Sequence, residues 1–511
     1  MGFISLGCPK NLVDSEVMMG LLDRAGARLT ARPEDAEILV VNTCSFIDSA
    51  KQESVDTILE MARHKTEGRA TRLIVTGCLV ERYRDEIRKN IPEVDAVVGT
   101  GELESILEAA GIARQVAAPS PFNILSDSSI AEARSGQESL SGTHKAPAVR
   151  HDSVEQAGHA PTPSRAEGDL REQQGRFKRD DWQGAAHMLP TYLHDENTPR
   201  LLATGRTSAY IKIAEGCDHP CTFCVIPNLR GKFRSRRFES VVAEARQLVA
   251  RGVEEITLIG QDTTCYGEDL GIKDGLAQLL DALAAIEGLR WLRFLYAYPN
   301  RITNRLLETI ARHDNICKYL DVPLQHASPS VLKTMKRGGG ADIFLKTLEK
   351  VRAAVPGIAL RTSFIVGFPG ESLADVAILE QFIQEAKFDW LGVFSYSDEE
   401  GSGAFGHEGK VPKRTIEARK RRLMKRQQHI SKQAKQHWIG RELMVLAEGE
   451  SEETPMLWEG RTQFHAPEID GKVYINDFGD LESLEKGRFY RTEITEAHDY
   501  DVVARIVSAA I

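Results

Sequence analysis

The chain has 511 residues, 42% of them hydrophobic, and a formal net charge of −9; that length predicts about two to four domains, and the acidic balance excludes a protein drawn to nucleic acid by its overall charge, local basic patches aside. No apolar run reaches the roughly eighteen residues of a membrane span, and no basic leader with an apolar core opens the chain, so neither a span nor a secretory signal is expected. A cytoplasmic location follows as the expectation, and there the eight cysteines stay reduced and suit metal or redox chemistry better than disulfides.

Up to about Arg114, short apolar runs alternate with helical stretches: "AEILVVNTC" precedes "SAKQESVDTILEMARH", and "TRLIVTGC" precedes "ERYRDEIRKN". This βαβ pattern predicts an N-terminal parallel α/β sheet over residues 1–114. Residues 115–200 turn to Ala, Ser, Pro, Gly, Gln and His with few periodic apolar positions, which predicts a flexible linker or disordered insertion. Order returns at "SAYIKIAEGC". Six candidate strands, "AYIKIA", "EITLIG", "LRFLYAY", "YLDVPL", "ALRTSFIVG" and "WLGVFSY", alternate with helical runs such as "FESVVAEARQLVARG". Residues 201–436 therefore read as an open or partial (β/α) barrel that ends in a strongly basic helix. In residues 437–511 the short strands "ELMVLAEGE", "MLWEGRT", "GKVYINDFG", "RFYRTEITEA" and "YDVVARIV" predict a small antiparallel β-barrel. The expected fold class is a multidomain α/β protein with a C-terminal β-barrel.

The strongest chemical signal is "GCDHPCTFC", which sets Cys217, Cys221 and Cys224 in a C-x3-C-x2-C spacing just after a strand. Three such thiolates can hold three corners of a 4Fe–4S cube and leave the fourth iron open. A structural zinc site is the alternative, but zinc prefers four closed ligands, and no fourth is evident nearby beyond His219 inside the loop. An open iron can be chelated by the amino and carboxylate groups of S-adenosylmethionine, whose reductive cleavage yields a deoxyadenosyl radical.

On these residues the chain resembles the radical S-adenosylmethionine enzymes. The resemblance implies further cofactor contacts: Phe223 within the triplet, and Gly260, Gln261 and Asp262 of "TLIGQDTTCYG" near the methionine amino group. It also implies Arg361 and Gly367 of "RTSFIVGFPGES" beside the adenosine. Taken singly, each glycine-rich stretch reads equally well as a tight βα turn.

Cys8, Cys44 and Cys78 each follow an apolar β-run, in "GFISLGC", "EILVVNTC" and "RLIVTGC". The carboxyl ends of parallel strands share one edge, so three distant thiols can meet there, each before a polar or helical start whose N–H groups favour thiolate. One such cysteine would read as an inert buried residue; three in equivalent positions argue against that. Cys265 and Cys317 have no comparable companions and are assigned no role. With "SLGCPKNLVDSE", "NTCSFI" and "TGC" added to the barrel motif and a TRAM-like terminal β-barrel, the chain resembles the methylthiotransferases over nearly its whole length outside the linker. That resemblance implies two 4Fe–4S clusters, the second held by Cys8, Cys44 and Cys78 and presenting sulfur. It implies S-adenosylmethionine as radical source and methyl donor, and a reductant protein such as flavodoxin or ferredoxin. The chain supplies every module itself, so a monomer is the default.

Members of that family modify either an adenosine in tRNA or an aspartate of small-subunit ribosomal protein twelve. "LGCPKNLVDSE" and "IAEGCDHPCTFCVIPNLRGKFRSR" resemble the ribosomal-protein branch, which implies hydrogen abstraction at the aspartate β-carbon and then carbon–sulfur bond formation. Charge agrees: from Trp438 onward seven Lys or Arg face sixteen Asp or Glu, a surface that would repel tRNA phosphates and suit a basic ribosomal protein. Two basic features stay open. "LRGKFRSRR" (Arg230, Lys232, Arg234, Arg236, Arg237) reads either as steering an acidic target or cofactor carboxylate, or as a solvated loop. The helix from Lys413 to Gln436 reads either as an RNA contact or, preferably, as packed against the acidic barrel. Methylthiolation of tRNA remains an alternative. So does an iron–sulfur carrier or sensor without turnover, although a carrier has no use for the long barrel and its cofactor-lining turns.

Overall fold

Four short apolar runs build the first sheet: β1 (Gly2–Ser5), β2 (Ile38–Thr43), β3 (Arg72–Gly77) and β4 (Ala96–Val98) lie in that order, every pair parallel. The protein is seen here in a computed structural model that describes residues 1–112, 190–452, 454 and 456–509. The helices Pro9–Arg24, Asp48–Thr66 and Cys78–Asn90 cross between the strands, as the βαβ pattern requires. The centres of β2 and β3 are buried on both faces, which explains their continuous Val, Ile and Leu runs.

Most of the expected linker, residues 115–189, lies outside the described residues. The rest, 190–200, departs from the expectation: it is packed, with His194 only 3% exposed. Arg200 places its guanidinium between Glu16 (2.5 Å) and Glu244 (2.7 Å), and Leu201 N–H donates to the Glu16 carbonyl. Composition marked this stretch as loose because its partners lie far away in the chain.

The six strands expected of the barrel form as β5 (Ser208–Lys212), β8 (Glu255–Ile259), β9 (Trp291–Phe294), β10 (Tyr319–Asp321), β11 (Ala359–Val366) and β12 (Trp390–Ser395). They pair in parallel as β5-β8-β9 and β10-β11-β12. The two sheets touch at a Leu292–Ile316 bridge and through the Ala297 N–H, which donates to the Asp321 carbonyl at 2.9 Å. The result is an open (β/α) barrel. Two short strands, β6 (Ala214–Glu215) and β7 (Arg234–Ser235), clasp the loop between them as an antiparallel pair.

The terminal barrel closes in the order β13 (Glu442–Glu450), β14 (Trp458–Thr462), β15 (Val473–Asp477), β17 (Val502–Ala509) and β16 (Phe489–Ala497). It departs from an all-antiparallel arrangement at one seam, where β15 and β17 run parallel. This barrel plugs the amino-terminal end of the open one. The opening residues of its strands, among them Trp291, Tyr319, Ala359 and Trp390, share an apolar cluster with Phe464, Phe489 and Trp458. Trp390 Nε1–H donates to the Phe464 carbonyl at 2.7 Å, and Arg461 of β14 pairs with Glu255 at the start of β8. The carboxyl-terminal mouth of the open barrel, where such folds carry their chemistry, therefore faces the cysteine loops.

The basic helix Lys413–Gln436 meets the acidic barrel only near its end, where Gln428 lies 2.5 Å and Lys432 3.8 Å from Asp499. Arg422 and Arg426 instead pair with Glu380 of the helix Leu373–Ala386, and Arg419 with Glu371. Packing on the terminal barrel was thus the lesser part of its role, because its apolar stripe, with Ile416 and Leu423 buried, seats on the open barrel. Among the described residues, no helix is long and apolar enough to cross a membrane.

The Glu255–Arg461 pair gives a test of the plug. Burial pushes the Glu255 carboxyl up, but Arg461 and then Arg293 and Ser208 outweigh it and hold it at about 2. An unfolded glutamate titrates near about 4.3, so the stabilisation is complete above that pH and is lost as pH falls toward the folded value. Arg461→Met should lower stability at pH 7 by about 3–5 kcal/mol, seen as a lower urea midpoint, and should flatten this acid-side dependence.

Candidate two-cluster active site

Cys8, Cys44 and Cys78 follow β1, β2 and β3, which are neighbours in the sheet, so the three loops leave one edge within about two strand spacings, ~10 Å. Cys8 caps the helix Pro9–Arg24 and Cys78 begins the helix Cys78–Asn90. Gly7 has φ +90°, and a Cβ there would stand 2.8 Å from Cys44 Cβ, so glycine is what lets the Cys8 loop close on Cys44. Polar clamps fix the rest. Ser54 Oγ accepts from the Cys44 N–H (3.0 Å) and donates to its carbonyl (2.8 Å), Ser45 Oγ donates to the Cys78 carbonyl (2.9 Å), and Asn11 Nδ2 donates to the carbonyls of Leu6 and Thr43.

The second triplet sits in the loop between β6 and β7. Cys217 N–H donates to the Gly231 carbonyl at 3.1 Å, while Thr222 donates its N–H to Met335 and its hydroxyl to Thr334. Arg337 Nη1 lies 3.5 Å from Cys221 Sγ, and its guanidinium stands 4.4 Å from the centre of the Tyr298 ring. His219 stacks on that same ring at 4.0 Å. Burial drives the thiols of Cys78 and Cys224 up to about 12 and that of Cys217 to about 11. At Cys8 burial also pushes upward, but Lys10, Arg230 and the backbone N–H of Asn11 and Lys10 together bring the thiol below its ordinary value. Thiols held this high are poor free nucleophiles, and a metal is what displaces their protons.

The donor sets discriminate between metals. His219 is engaged elsewhere, with Nε2 2.6 Å from Asp262 Oδ2. Among the described residues, the His, Cys and carboxylate ligand atoms drawn within 4.8 Å of one another are those of His219, Asp262 and Cys265, not those of either triplet. One tetrahedral zinc with bonds of about 2.3 Å would hold its sulfurs ~3.8 Å apart. The wider triplets, each with three soft ligands and one corner open, fit a 4Fe–4S cluster instead.

Between the triplets runs a buried ion network. Asp14 comes from the helix behind Cys8, Lys212 from β5, Glu215 from β6, and Arg230 from the short helix Ile226–Arg230 after Cys224. Lys212 pairs with Asp14 and, at 2.5 Å, with Glu215. Arg230 Nη1 stands 3.1 Å from both carboxylates, its Nη2 donates to Asn11 Oδ1 at 3.0 Å, and its charge partly offsets the upward push of burial on the Cys78 thiol. Both readings of "LRGKFRSRR" are corrected for its main members: Arg230 and Arg236 are buried and structural, Arg236 being paired with Glu244.

The residues expected around the cofactor divide. Gln261 Nε2 donates to Glu215 at 2.8 Å, while its Oε1 is buried without a partner, an acceptor left for an incoming donor such as an ammonium. Gly260 has ordinary space for a Cβ, its nearest neighbour being 3.6 Å away. Asp262 organises the loop. It accepts from His219, Cys265 and Thr264, and these bonds outweigh the upward push of burial and lower its pKa. Cys265, read from sequence as having no companion, belongs to this group. Phe223 packs with Val331, Met335 and Phe368. Arg361 is held 2.8 Å from Asp321 and 3.3 Å from Asp470, toward the plugged end. Gly367 has φ +82°, and the close approach it permits is that of Ile416, whose Cγ1 would lie 2.3 Å from a Cβ. Sequence reasoning passed over Lys10, Tyr296 and Arg337 as site residues; only the "PKN" after Cys8 carried a signal for the first.

Comparison with known proteins finds three family models along the chain: an uncharacterized protein family, UPF0004, over residues 1–99, the radical SAM superfamily over 211–383, and a TRAM domain over 439–507. Curated relatives that match nearly the whole chain carry the name ribosomal protein uS12 methylthiotransferase RimO. That of Koribacter versatilis is 64% identical over 99% of this chain and 96% of its own length. That of Solibacter usitatus is 52% identical over 99% and 95%, and that of Geotalea uraniireducens 42% over 99% and 98%.

Gly367 tests the seating of the basic helix on the site. Gly367→Ala should cost about 2–4 kcal/mol, from a left-handed backbone and overpacking together, read as a lower melting temperature. Adding Ile416→Ala should recover part of that loss.

Proposed function

Because the chain belongs to the ribosomal protein uS12 methylthiotransferase family of radical S-adenosylmethionine enzymes, we propose that it attaches a methylthio group to the β-carbon of an aspartate in uS12. Its cofactors are two 4Fe–4S clusters and S-adenosylmethionine. The cofactors supply the hard chemistry when bound, a radical that removes hydrogen and a sulfur for the new bond. The chain's own residues hold, orient and desolvate.

In this reading Cys217, Cys221 and Cys224 hold the cluster that meets S-adenosylmethionine, with Gln261 Oε1 and Phe223 among the groups toward that cofactor. Cys8, Cys44 and Cys78 hold the other. The observation that carries the reading is the juxtaposition of two three-thiol sets through one buried network, with Arg230 reaching from Asn11 and Asp14 to Glu215. A substrate carbon must sit between two such centres. We assign residues 1–114 to the sulfur-presenting module, 201–436 to the radical module and 437–511 to substrate recognition. Residues 190–200 join the packed core.

The preference for a protein over tRNA is supported by the terminal barrel. Its basic residues are largely neutralised in place, as in Lys472–Glu459, Arg488–Glu485 and Arg505–Glu493. Asp477, Asp480 and Glu482 stay exposed. Such a surface attracts a basic ribosomal protein and repels phosphate. The reading also calls for a protein reductant of the flavodoxin or ferredoxin kind, and for a cytoplasmic enzyme acting as a monomer.

The test offers anaerobically reconstituted enzyme, reductant and S-adenosylmethionine to uS12 and to tRNA side by side, with mass spectrometry for a methylthio group. Modification of uS12 is expected; modification of tRNA alone overturns the substrate assignment. Cys8→Ala should abolish methylthio transfer while deoxyadenosine still forms, whereas Cys221→Ala should abolish both. Loss of deoxyadenosine in a folded Cys8→Ala protein would refute this division of labour.

A further inference from the structure

Almost every buried cation near the two triplets already holds a carboxylate. Lys212 and Arg230 share Asp14 and Glu215, Arg200 and Arg236 share Glu244, and Arg361 holds Asp321. Lys10 is the exception. It is 8% exposed, and among the described residues its ammonium makes no hydrogen bond or ion pair. Its ammonium instead stands 3.4 Å from the centre of the Tyr296 ring. The opposite charges within electrostatic reach are the Cys8 sulfur, which belongs to the first triplet, and the carboxylates of Glu215 and Asp321, which are spent on other cations.

The position of this ammonium is built from both sides. Lys10 lies two residues beyond Cys8, and Tyr296 two residues before Tyr298, on which His219 of the second cysteine loop stacks. Tyr296 has φ +64°, a left-handed backbone that costs a non-glycine residue energy and that persists only where its surroundings impose it. They do so here: Asp321 Oδ2 accepts the Tyr296 N–H at 3.0 Å, and the Tyr296 carbonyl accepts from Thr263 N–H at 3.2 Å. A strained residue thus presents an aromatic face to an ammonium that has no hydrogen-bond acceptor among the described residues. Burying an ammonium whose N–H donors find no acceptor is costly, so the arrangement calls for an incoming acceptor, best a charged one.

We propose that Lys10 anchors a carboxylate entering between the two cysteine triplets, namely the side-chain carboxylate of the substrate aspartate, with Tyr296 holding the ammonium in place. The proposal rests on the uS12 reading above. The β-carbon to be modified is bonded directly to that carboxylate, so an anchor there fixes the reacting carbon to within one bond. It also gives a reason for an aspartate substrate: a neutral amide at the same place would offer the buried ammonium only a weaker, uncharged acceptor.

The test measures binding of two uS12 loop peptides to the reconstituted holoenzyme, one with the target Asp and one with Asn in its place, together with binding of S-adenosylmethionine. Wild type should favour the Asp peptide by about ten- to a hundredfold, the range of a charge-assisted hydrogen bond. Lys10→Met should erase that preference, and Lys10→Arg should restore part of it. If Lys10→Met does not fold, Lys10→Gln is read in its place. A preference that survives in the neutral variant, or an equal weakening of both peptides, overturns the proposal. Weakened S-adenosylmethionine with the Asp preference intact also overturns it, assigning Lys10 to the cofactor carboxylate. Wild type that modifies tRNA and neither binds nor modifies the Asp peptide removes the uS12 reading, and the proposal falls with it.

Discussion

Arg230 and its partners set the geometry on which the rest of the site depends. A guanidinium this deep is tolerable only beside ionised carboxylates, and it has two, Asp14 and Glu215, with Lys212 neutralising the remainder. Each member comes from a different piece of the chain: the helix after Cys8, the strands before Cys217, and the turn after Cys224. Burial pushes the Glu215 carboxyl upward, yet Arg230 and Lys212 hold it far below the ordinary carboxylate range. Such a network adds little net stability over an apolar core, because desolvation offsets most of the attraction. Its effect is positional. Shifting either cysteine loop would strand a charge, so the two triplets can occupy only one arrangement relative to each other.

The opposite end of the open barrel is fixed by the same device in a different form. Glu255, at the start of β8, takes Arg293 from the neighbouring strand and Arg461 from the terminal barrel. Around that pair lie Trp291, Trp390, Phe464 and Phe489, with Trp291 and Phe489 edge to face at 4.8 Å. The aromatic cluster supplies the adhesion and the ion pair supplies the register. Closing this end leaves the carboxyl-terminal mouth for chemistry, and it joins the acidic barrel and the radical module in one compact unit.

The sequence was most legible where local pattern and tertiary role agree. "EILVVNTC" and "RLIVTGC" place β2 and β3 and put a cysteine directly after each, because a buried parallel strand must be continuously apolar and must end where the loop begins. The six barrel strands and the five of the terminal barrel were readable for the same reason. What escaped depended on partners remote in the chain. Arg230 and Asp14 are 216 residues apart, so nothing near "LRGKFRSRR" shows that its arginines turn inward. The glycine at 367 reads as an invitation to a cofactor, yet its close neighbour is Ile416 on a helix some fifty residues later. The parallel β15–β17 seam is likewise a property of barrel closure, which no strand reveals alone.

Charge therefore serves two distinct purposes here. In the interior every carboxylate of the central network is matched, and the matching selects one geometry at the cost of desolvation. On the terminal barrel the reverse holds: basic residues are paired with neighbouring acids, and an excess of carboxylates such as Asp480 and Glu482 faces solvent. Unpaired surface charge contributes almost nothing to the fold, but it governs encounter, since its field reaches about a Debye length and weakens with salt. A basic protein is drawn to this surface and a polyphosphate is turned away. On the proposed reading, selection of the macromolecule and placement of the reacting carbon fall to different charges, one set exposed and screened by salt, the other buried and shielded from it.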